Sequence, residues 1–242
     1  MTAFIFLCLF AIAAMFLGFT NIRGAIVPLA FAGTSIALFS GQPFWNHYLT
    51  GMVETGGTAK ILCALVLLNA LALIPFYAWY ERRGQEEVGD FTGLFLFASM
   101  GAMLMVSSTH YMSLFLGVEI LSIAMYVLAG ADRRKSKSNE AALKYFITGS
   151  FTSAILLFGI GMIYALTGSL EIAGAVEVEG QSLLQLAYLF VFTGFALKIA
   201  VVPFHFWAPD VYEGTPTFFT AAMASLVNLA SIGAFLRIIQ LN

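Results

Sequence analysis

The sequence predicts an all-α fold, a polytopic membrane bundle of about eight transmembrane helices. Of its 242 residues, 60% are hydrophobic and 10% are charged, whereas soluble domains carry about 25% charged residues. The apolar residues form runs near the length of about 20 residues that a helix needs to cross a bilayer. These runs lack the two-residue alternation of a membrane β-barrel. The lipid bilayer is therefore the expected surrounding, and the net charge of −2 gives no reason to expect nucleic acid as a partner.

The first three predicted helices form an N-terminal transmembrane segment, residues 1–89. They cover Thr2–Asn21, the shorter run Gly24–Ser40 and Ile61–Tyr80. The first run has no basic leader and no small-residue cleavage site, so we interpret it as a spanning helix and not as a removed signal peptide.

The remaining five helices are predicted within residues 90–242. They occupy the following segments: two helices in Phe91–Ala131, one in Ala141–Leu166, one beginning near Leu183 and one in Phe218–Ile239. The first of these segments is too long for a single span, so a turn near Ser107–His110 is expected to divide it. Ser138 is the expected N-cap of the sixth helix, since a serine hydroxyl can bond the free amides of a first helical turn.

Basic residues in the loops predict the orientation of the helices, because lysine and arginine are retained on the cytoplasmic side of a membrane. The loops after odd-numbered helices hold seven such residues: Arg23, Arg82, Arg83, Arg133, Arg134, Lys135 and Lys137. The loops after even-numbered helices hold only Lys60. We therefore expect the odd-numbered loops in the cytoplasm and the N-terminus outside, which also places Asp210 and Glu213 on the cytoplasmic side.

Three charged residues lie inside the predicted spans: Glu119 in the fifth helix, Lys144 about one turn into the sixth, and Lys198 in the seventh. A charge at the bilayer centre costs about 3 kcal/mol on insertion scales, so such residues face the bundle interior, pair with each other or line water. Glu119 could also make only a structural ion pair or hydrogen bond. Lys144 lies near a helix end, where its stem could extend to the interface.

Lys198 lies in the middle of an apolar and aromatic stretch that continues past Pro203 to Val211. In a helix, a proline cannot donate its backbone hydrogen bond, and its ring crowds the carbonyl four residues earlier, here at Ile199. A free carbonyl at membrane depth is tolerated only beside water or polar groups. The stretch therefore predicts a broken seventh helix with a lysine at the break, an arrangement found at the sites of ion-moving membrane proteins.

A lysine and a glutamate away from water can exchange protons with their surroundings. Burial disfavours the charged form of each side chain, whereas bringing the two together restores both charges. Moving a neighbouring charge can therefore make Lys198 take up or release a proton, with Glu119 as its partner. His205, two residues past the proline, is a further candidate for passing protons, although a histidine among aromatic residues is often only an interface residue.

Three stretches of the sequence resemble a known family. They are "LFLGVEILSIAMYVLAG", "EAALKYFITGSFTSAILLFGIGMIYALTGS" and "ALKIAVVPFHFWAPDVYEGTPTFFTA". They resemble the antiporter-like subunits of proton-pumping NADH:quinone oxidoreductase (respiratory complex I), and subunit N among them. The wider family includes the large subunits of Mrp-type sodium/proton antiporters. The resemblance covers most of residues 90–240, whereas residues 1–89 match only in hydropathy.

The resemblance implies two inverted five-helix bundles, each with one discontinuous helix, and a proton path across a bacterial inner membrane. The family's proton-handling residues then correspond to Glu119, Lys198 and Lys144. The resemblance also implies that this chain holds no redox cofactor, because NADH, FMN, the iron–sulfur clusters and quinone bind to other subunits. The other membrane-arm subunits of the complex are the implied partners.

The sequence departs from the family pattern in two places. The family has a lysine in the middle of the eighth helix, where this sequence has Asn228 in "MASLVNLASIGAF". An asparagine can form hydrogen bonds but does not titrate, so the relay uses water there, the alignment slips, or pumping is impaired. The second inverted bundle is also absent, which leaves open whether the chain is a fragment, a split subunit or part of a longer one.

Three functions remain open from the sequence. The first is a proton-translocating subunit of complex I, which couples quinone reduction in other subunits to proton movement through Glu119 and Lys198. The second is an Mrp-type subunit that exchanges sodium for protons without redox chemistry. The third is a structural or assembly subunit that packs beside a pump, which Asn228 favours and the buried charges oppose.

Overall fold

The computed structural model describes residues 2–17, 23–40, 51–54, 56–81, 88–173 and 181–241, and these residues are predominantly helical. The helices are α1 (Thr2–Leu17), α2 (Arg23–Ser40), α3 (Gly57–Glu81), α4 (Val88–Ser107), α5 (Tyr111–Ala129), α6 (Ser136–Thr167), α7 (Gln181–Lys198), α8 (Ala208–Gly214), α9 (Thr217–Ala222) and α10 (Asn228–Leu241). A π-helical turn, Met223–Val227, joins α9 to α10.

Five of the described segments are long and apolar enough to cross a membrane. They are Gly57–Phe76, Asp90–Ser107, Tyr111–Ala129, Ser136–Thr167 and Thr217–Leu241. Shorter apolar stretches, Ala3–Phe16 and Pro28–Leu38, lie in α1 and α2. The prediction of a helical, multi-pass membrane protein is confirmed, whereas the number of eight spans stays a prediction.

The turn that was expected to divide the fourth and fifth helices lies where the sequence predicts it. Helix α4 ends at Ser107 and α5 begins at Tyr111. The residues between them leave the helical conformation and form isolated β-bridges, Val53 with Ser108 and His110 with Glu171. The turn therefore ties two other connecting segments to the same end of the bundle.

Most of the described helices begin one to five residues before their predicted starts. Helix α3 begins at Gly57, so Lys60 lies in its first turn and not in a loop. Helix α6 begins at Ser136 with Lys135 at its N-cap, so the prediction that Ser138 caps this helix is wrong. The Ser138 hydroxyl instead donates to the carbonyl oxygen of Ala129 at 2.9 Å. A serine that bonds the last residue of α5 joins two helices instead of capping one.

Helix α5, which carries Glu119, packs against both α4 and α6. Helix α6 in turn packs against α7 and α8, and α1 packs against α2 and α4. Glycines allow the closest of these contacts: a Cβ atom on Gly101 of α4 would meet the backbone of Gly117 and Leu121 in α5. Glu119 lies between those two residues, so its position depends on this close packing.

Part of the evidence for the predicted orientation lies outside the described residues. Arg82 and Arg83, two of the basic loop residues, fall there. The orientation across the membrane therefore stays a prediction.

Candidate functional site

Helix α7 ends at Lys198, five residues before the proline that was expected to break it. Ala200 has a φ of 53°, in the left-handed region. The Val201 amide donates to the Ala196 carbonyl at 3.0 Å, and the Ala200 amide donates to the Leu197 carbonyl at 3.3 Å. This is the Schellman pattern of helix termination, in which glycine is the usual left-handed residue.

The prediction that Pro203 frees the Ile199 carbonyl within a helix is therefore wrong. The helix has already ended there, and the carbonyl held at the break is that of Leu197. It accepts a second hydrogen bond, from the indole Nε1 of Trp207 at 3.0 Å. Trp207 is buried and stacks on Tyr145 of α6, with ring centroids 5.2 Å apart. The segment after the break is thus fixed against both α6 and the end of α7.

The Lys198 side chain points into the bundle, where the residue is only 7% exposed. Its Nζ donates a hydrogen bond to the Ser122 hydroxyl of α5. Ser122 is three residues after Glu119 on α5, so the Lys198 ammonium contacts the helix face that carries this carboxylate. Within the described part of the chain, no carboxylate oxygen lies within ion-pair distance of Lys198. Lys198 is therefore a buried cation with a neutral hydrogen-bond partner.

Glu119 is half-buried and belongs to the same face of α5 as Ser122, because the two residues are three positions apart. Its Oε1 accepts a hydrogen bond from the Ser153 hydroxyl of α6. The structure thus brings Glu119 and Lys198 into one polar region, in which each charged group is bonded to a serine hydroxyl. Glu119 and Lys198 do not form an ion pair in this arrangement, and proton exchange between them stays a prediction.

Lys144 lies in a different environment from Lys198. It is two turns into α6, because that helix begins earlier than predicted. Its Nζ lies 2.7 Å from Glu140 Oε1 and 2.5 Å from Asp210 Oδ2. Lys137 and Glu213 form a second pair at 2.6 Å. These five residues, which we call the charged entrance, line an open cavity of about 110 Å³.

A narrow cleft lies beside Lys198, and its lining on α6 begins at Tyr145, the residue after Lys144. Its lining residues are Tyr145, Thr148, Gly149, Thr152, Leu197, Lys198 and Trp207. Its volume is about 10 Å³, which is room for about one water molecule. Thr148 and Thr152 donate to the carbonyls of Lys144 and Thr148, so their hydroxyls follow the cleft along α6.

The other two singled-out residues lie away from this polar region. The side chain of His205 is exposed. Asn228 follows the π-helical turn directly, and its side-chain amide donates to the Ala224 carbonyl of that turn at 3.0 Å. Across the described residues, no group of three or more histidine, cysteine, aspartate or glutamate side chains could hold a metal ion.

Sequence reasoning missed the serines that contact the two buried charges. Ser122 lies three residues after Glu119, and Ser153 lies in the middle of α6. The spacing of Ser122 was a usable signal, because positions i and i+3 share a helix face. Ser153 gave no comparable signal, because its contact depends on how α6 packs against α5.

A buried lysine at a helix end, bonded to a second helix that carries a half-buried glutamate, is typical of membrane proteins that move ions. Comparison with known proteins identifies which group of them this chain matches. Residues 108–242 match the family described as "NADH:quinone oxidoreductase/Mrp antiporter, TM". The chain belongs to this transmembrane family.

The curated relatives include subunits named "NADH-quinone oxidoreductase subunit N". One from Flavobacterium psychrophilum is 34% identical over 246 residues, which cover 99% of this chain and 54% of the relative. One from Magnetococcus marinus is 42% identical over 181 residues, which cover 72% of this chain and 38% of the relative. The resemblance to subunit N is confirmed, and the chain spans about half the length of these relatives or less.

Two solved structures share the fold. The structure titled "Respiratory complex I from Thermus thermophilus with bound Aureothin" matches 97% of this chain and 52% of its own, at 31% identity and a TM-score of 0.81. An archaeal membrane-bound sulfane sulfur reductase matches all of this chain with a TM-score of 0.77. At 21% identity, the second match supports the fold alone.

Proposed function

We propose that this chain forms part of a proton-translocating subunit, of the subunit N type, in the membrane arm of an NADH:quinone oxidoreductase. The observation that carries the proposal is Lys198, a lysine buried at the end of α7 and bonded to α5, the helix of Glu119. A buried ammonium is costly in a membrane protein unless the protein uses it. Proton exchange between Lys198 and Glu119 is a use that fits both residues and the family.

In this proposal α7 and α8 are the two halves of one interrupted span. Protons from the cytoplasm reach the charged entrance, pass Lys144, and travel along the cleft to Lys198. The open cavity at the entrance and the small cleft beside Lys198 support this order. His205, exposed beyond the break, is proposed as an additional relay residue.

The rest of the machinery is proposed to lie in other subunits. NADH, FMN, the iron–sulfur clusters and quinone bind there, and this chain takes part in the enzyme without a redox group of its own. Its partners are the other membrane-arm subunits, and its location is a bacterial inner membrane with the N-terminus outside. Quinone reduction elsewhere changes the electrostatic surroundings of Glu119, and Lys198 responds by releasing or binding a proton.

Replacing Lys198 by methionine in the assembled complex tests this function. Methionine keeps a similar length and removes the ammonium, so NADH-driven proton translocation into inverted membrane vesicles should fall about tenfold or more. Lys135→Met is the matched control, because Lys135 is exposed and pairs only with its neighbour Asp132. Normal assembly together with undiminished translocation in Lys198→Met would favour a structural subunit instead.

Sodium/proton exchange is the second candidate, because the matching family also includes Mrp antiporters. The two functions differ in what drives transport. Vesicles energised by NADH without sodium should still take up protons if the chain works in an NADH:quinone oxidoreductase. A strict requirement for sodium, with no dependence on NADH, would support the antiporter.

A further inference from the structure

The face of α5 that carries Glu119 and Ser122 also carries a tyrosine. Glu119, Ser122 and Tyr126 stand at positions i, i+3 and i+7, so they form one stripe along the helix. The residue Tyr126 is 8% exposed. The site described above therefore extends by one more polar group toward α6.

A glycine of α6 receives the phenol ring of this tyrosine. A Cβ atom on Gly149 would lie 2.0 Å from the Tyr126 hydroxyl oxygen, so the hydroxyl rests directly against the α6 backbone. Ser153 is four residues further along α6 and shares the face of Gly149. On α5, Tyr126 is four residues after Ser122, so these two side chains also share one helix face.

The Tyr126 hydroxyl is nevertheless a buried polar group without a hydrogen-bond partner among the described residues. Buried hydroxyls are nearly always hydrogen-bonded, and an exception calls for a reason. The ring itself is well packed, edge-on against Tyr145 with ring centroids 4.9 Å apart. A phenylalanine would make the same ring contacts, so packing does not account for the hydroxyl.

The hydrogen bonds at the two ends of the stripe have a fixed direction. An ammonium can only donate and an ionised carboxylate can only accept. Ser122 therefore accepts from Lys198, and Ser153 donates to Glu119. Both bonds have the direction needed to send a proton from Lys198 toward Glu119. Tyr126 shares a face of α5 with Ser122, and its hydroxyl rests against α6 at Gly149, one turn from Ser153.

We propose that Ser122, Tyr126 and Ser153 form a hydroxyl relay that carries a proton from Lys198 to Glu119. Lys198 gives a proton to the Ser122 oxygen, which releases its own proton to Tyr126. Tyr126 releases its proton to Ser153, and Ser153 releases its proton to the Glu119 carboxylate. Each hydroxyl gains one proton and loses one, so the net change is a neutral lysine and a neutral glutamic acid.

The orientation of the Ser122 hydroxyl determines whether the relay is complete. In the structure the Ser122 hydroxyl donates to the Val118 carbonyl of its own helix, so its proton points away from Tyr126. Rotation of this hydroxyl toward Tyr126 completes the relay. The cleft beside Lys198 does not provide the same connection, because Glu119 and the rest of α5 are not among the residues that line it.

Replacing Tyr126 by phenylalanine tests the relay, which rests on the proposed function of proton translocation. The substitution removes one oxygen atom and keeps the ring contacts with α6. In the assembled complex, in inverted membrane vesicles, NADH-driven proton translocation should fall about tenfold or more. Tyr164→Phe is the matched control, since Tyr164 lies on α6 with an exposed side chain outside the relay.

The Lys198→Met variant, measured alongside, separates the relay from the function on which it rests. If Lys198→Met loses translocation and Tyr126→Phe matches Tyr164→Phe, the relay is wrong and proton translocation by this subunit stands. If Lys198→Met keeps full translocation, the proposed function and the relay both fail.

A second relay variant covers the possibility that Tyr126→Phe fails to assemble. Ser153→Ala then tests the relay, because it removes the hydroxyl that bonds Glu119 and leaves the Tyr126 ring unchanged. Loss of translocation in an assembled Ser153→Ala complex supports the relay, and wild-type translocation overturns it.

Discussion

The contact between α4 and α5 gives a sharp test of how packing positions the site. A Cβ atom added to Gly101 would lie 2.5 Å from the Leu121 amide nitrogen and 2.8 Å from the Gly117 carbonyl oxygen. Both are backbone atoms, so no side-chain rotation can relieve the overlap. In Gly101→Ala the two helices must separate by about 1 Å to reach ordinary contact distances. Glu119, between Gly117 and Leu121, must move with α5.

The expected loss of stability follows from two opposing effects. Overpacking a tight contact costs about 1–3 kcal/mol, whereas alanine in place of glycine favours a helix by about 1 kcal/mol. Gly161→Ala on α6 is the matched control, because a Cβ atom there meets nothing within 4 Å. The helix-propensity gain is common to both variants, so the difference between them isolates the overpacking cost of about 1–3 kcal/mol.

Thermal denaturation of the two variants in detergent measures this difference, at about 2–4 °C per kcal/mol for a chain of this size. Proton translocation by the assembled complex measures the displacement of Glu119, and a shift near 1 Å can cost a factor of about 100 in rate. Equal melting temperatures for Gly101→Ala and Gly161→Ala would show that α4 and α5 are not in backbone contact. Full translocation with a lowered melting temperature would show that the position of Glu119 does not depend on this contact.

Two further substitutions test other contacts. Trp207→Phe removes the donor to the Leu197 carbonyl, so stability should fall by about 1–2 kcal/mol and proton translocation should decline; unchanged melting and translocation would contradict this role of the indole. Glu54→Gln removes the partner of Arg237, whose side chain is only 3% exposed, so stability should fall by about 2–3 kcal/mol. Glu213→Gln, which breaks an exposed pair, should cost less than about 1 kcal/mol in the same melting experiment, and equal losses would contradict the burial argument.

Much of the architecture could be predicted from the sequence because lipid imposes a simple rule on length and composition. A continuous apolar run must be a helix, and a run that is too long must contain a turn. This reasoning places the turn between α4 and α5 at Ser107–His110, where the structure has it. It also singles out Lys198 and Glu119, because a charged residue stands out in an apolar run.

The end of α7 could not be predicted in the same way. Proline is the visible helix breaker in this stretch, but the helix ends earlier because Ala200 adopts the left-handed conformation. An alanine does not predict a left-handed conformation, since alanine favours right-handed helices. The Leu197 carbonyl and the Trp207 indole stabilise the break from ten residues apart. Such a contact exists only once the chain has folded back on α7.

The ion pair between buried Arg237 and partly exposed Glu54 could not be predicted from the sequence for a related reason. Arg237 lies near the end of α10, where a basic residue suggests an interface position and not a buried one. Its partner lies in the short segment 51–54 before α3, far away in sequence. Only the packing of α10 beside α3 and α4 brings the two together.

The contrast between the two site lysines gives the strongest physical reason to assign proton transfer to Lys198. Lys144 is partly exposed and has two carboxylate partners, so its positive charge is well compensated by its surroundings. Lys198 is buried and bonds a single neutral hydroxyl. A lysine that is always charged would need an environment like that of Lys144, because an isolated charge away from water is costly. A lysine that must release and regain its proton is suited to an environment like that of Lys198. Burial there disfavours the charged form, and a carboxylate that comes close favours it again. In the proposed function, moving Glu119 toward or away from Lys198 changes the proton occupancy of the lysine without breaking a strong ion pair.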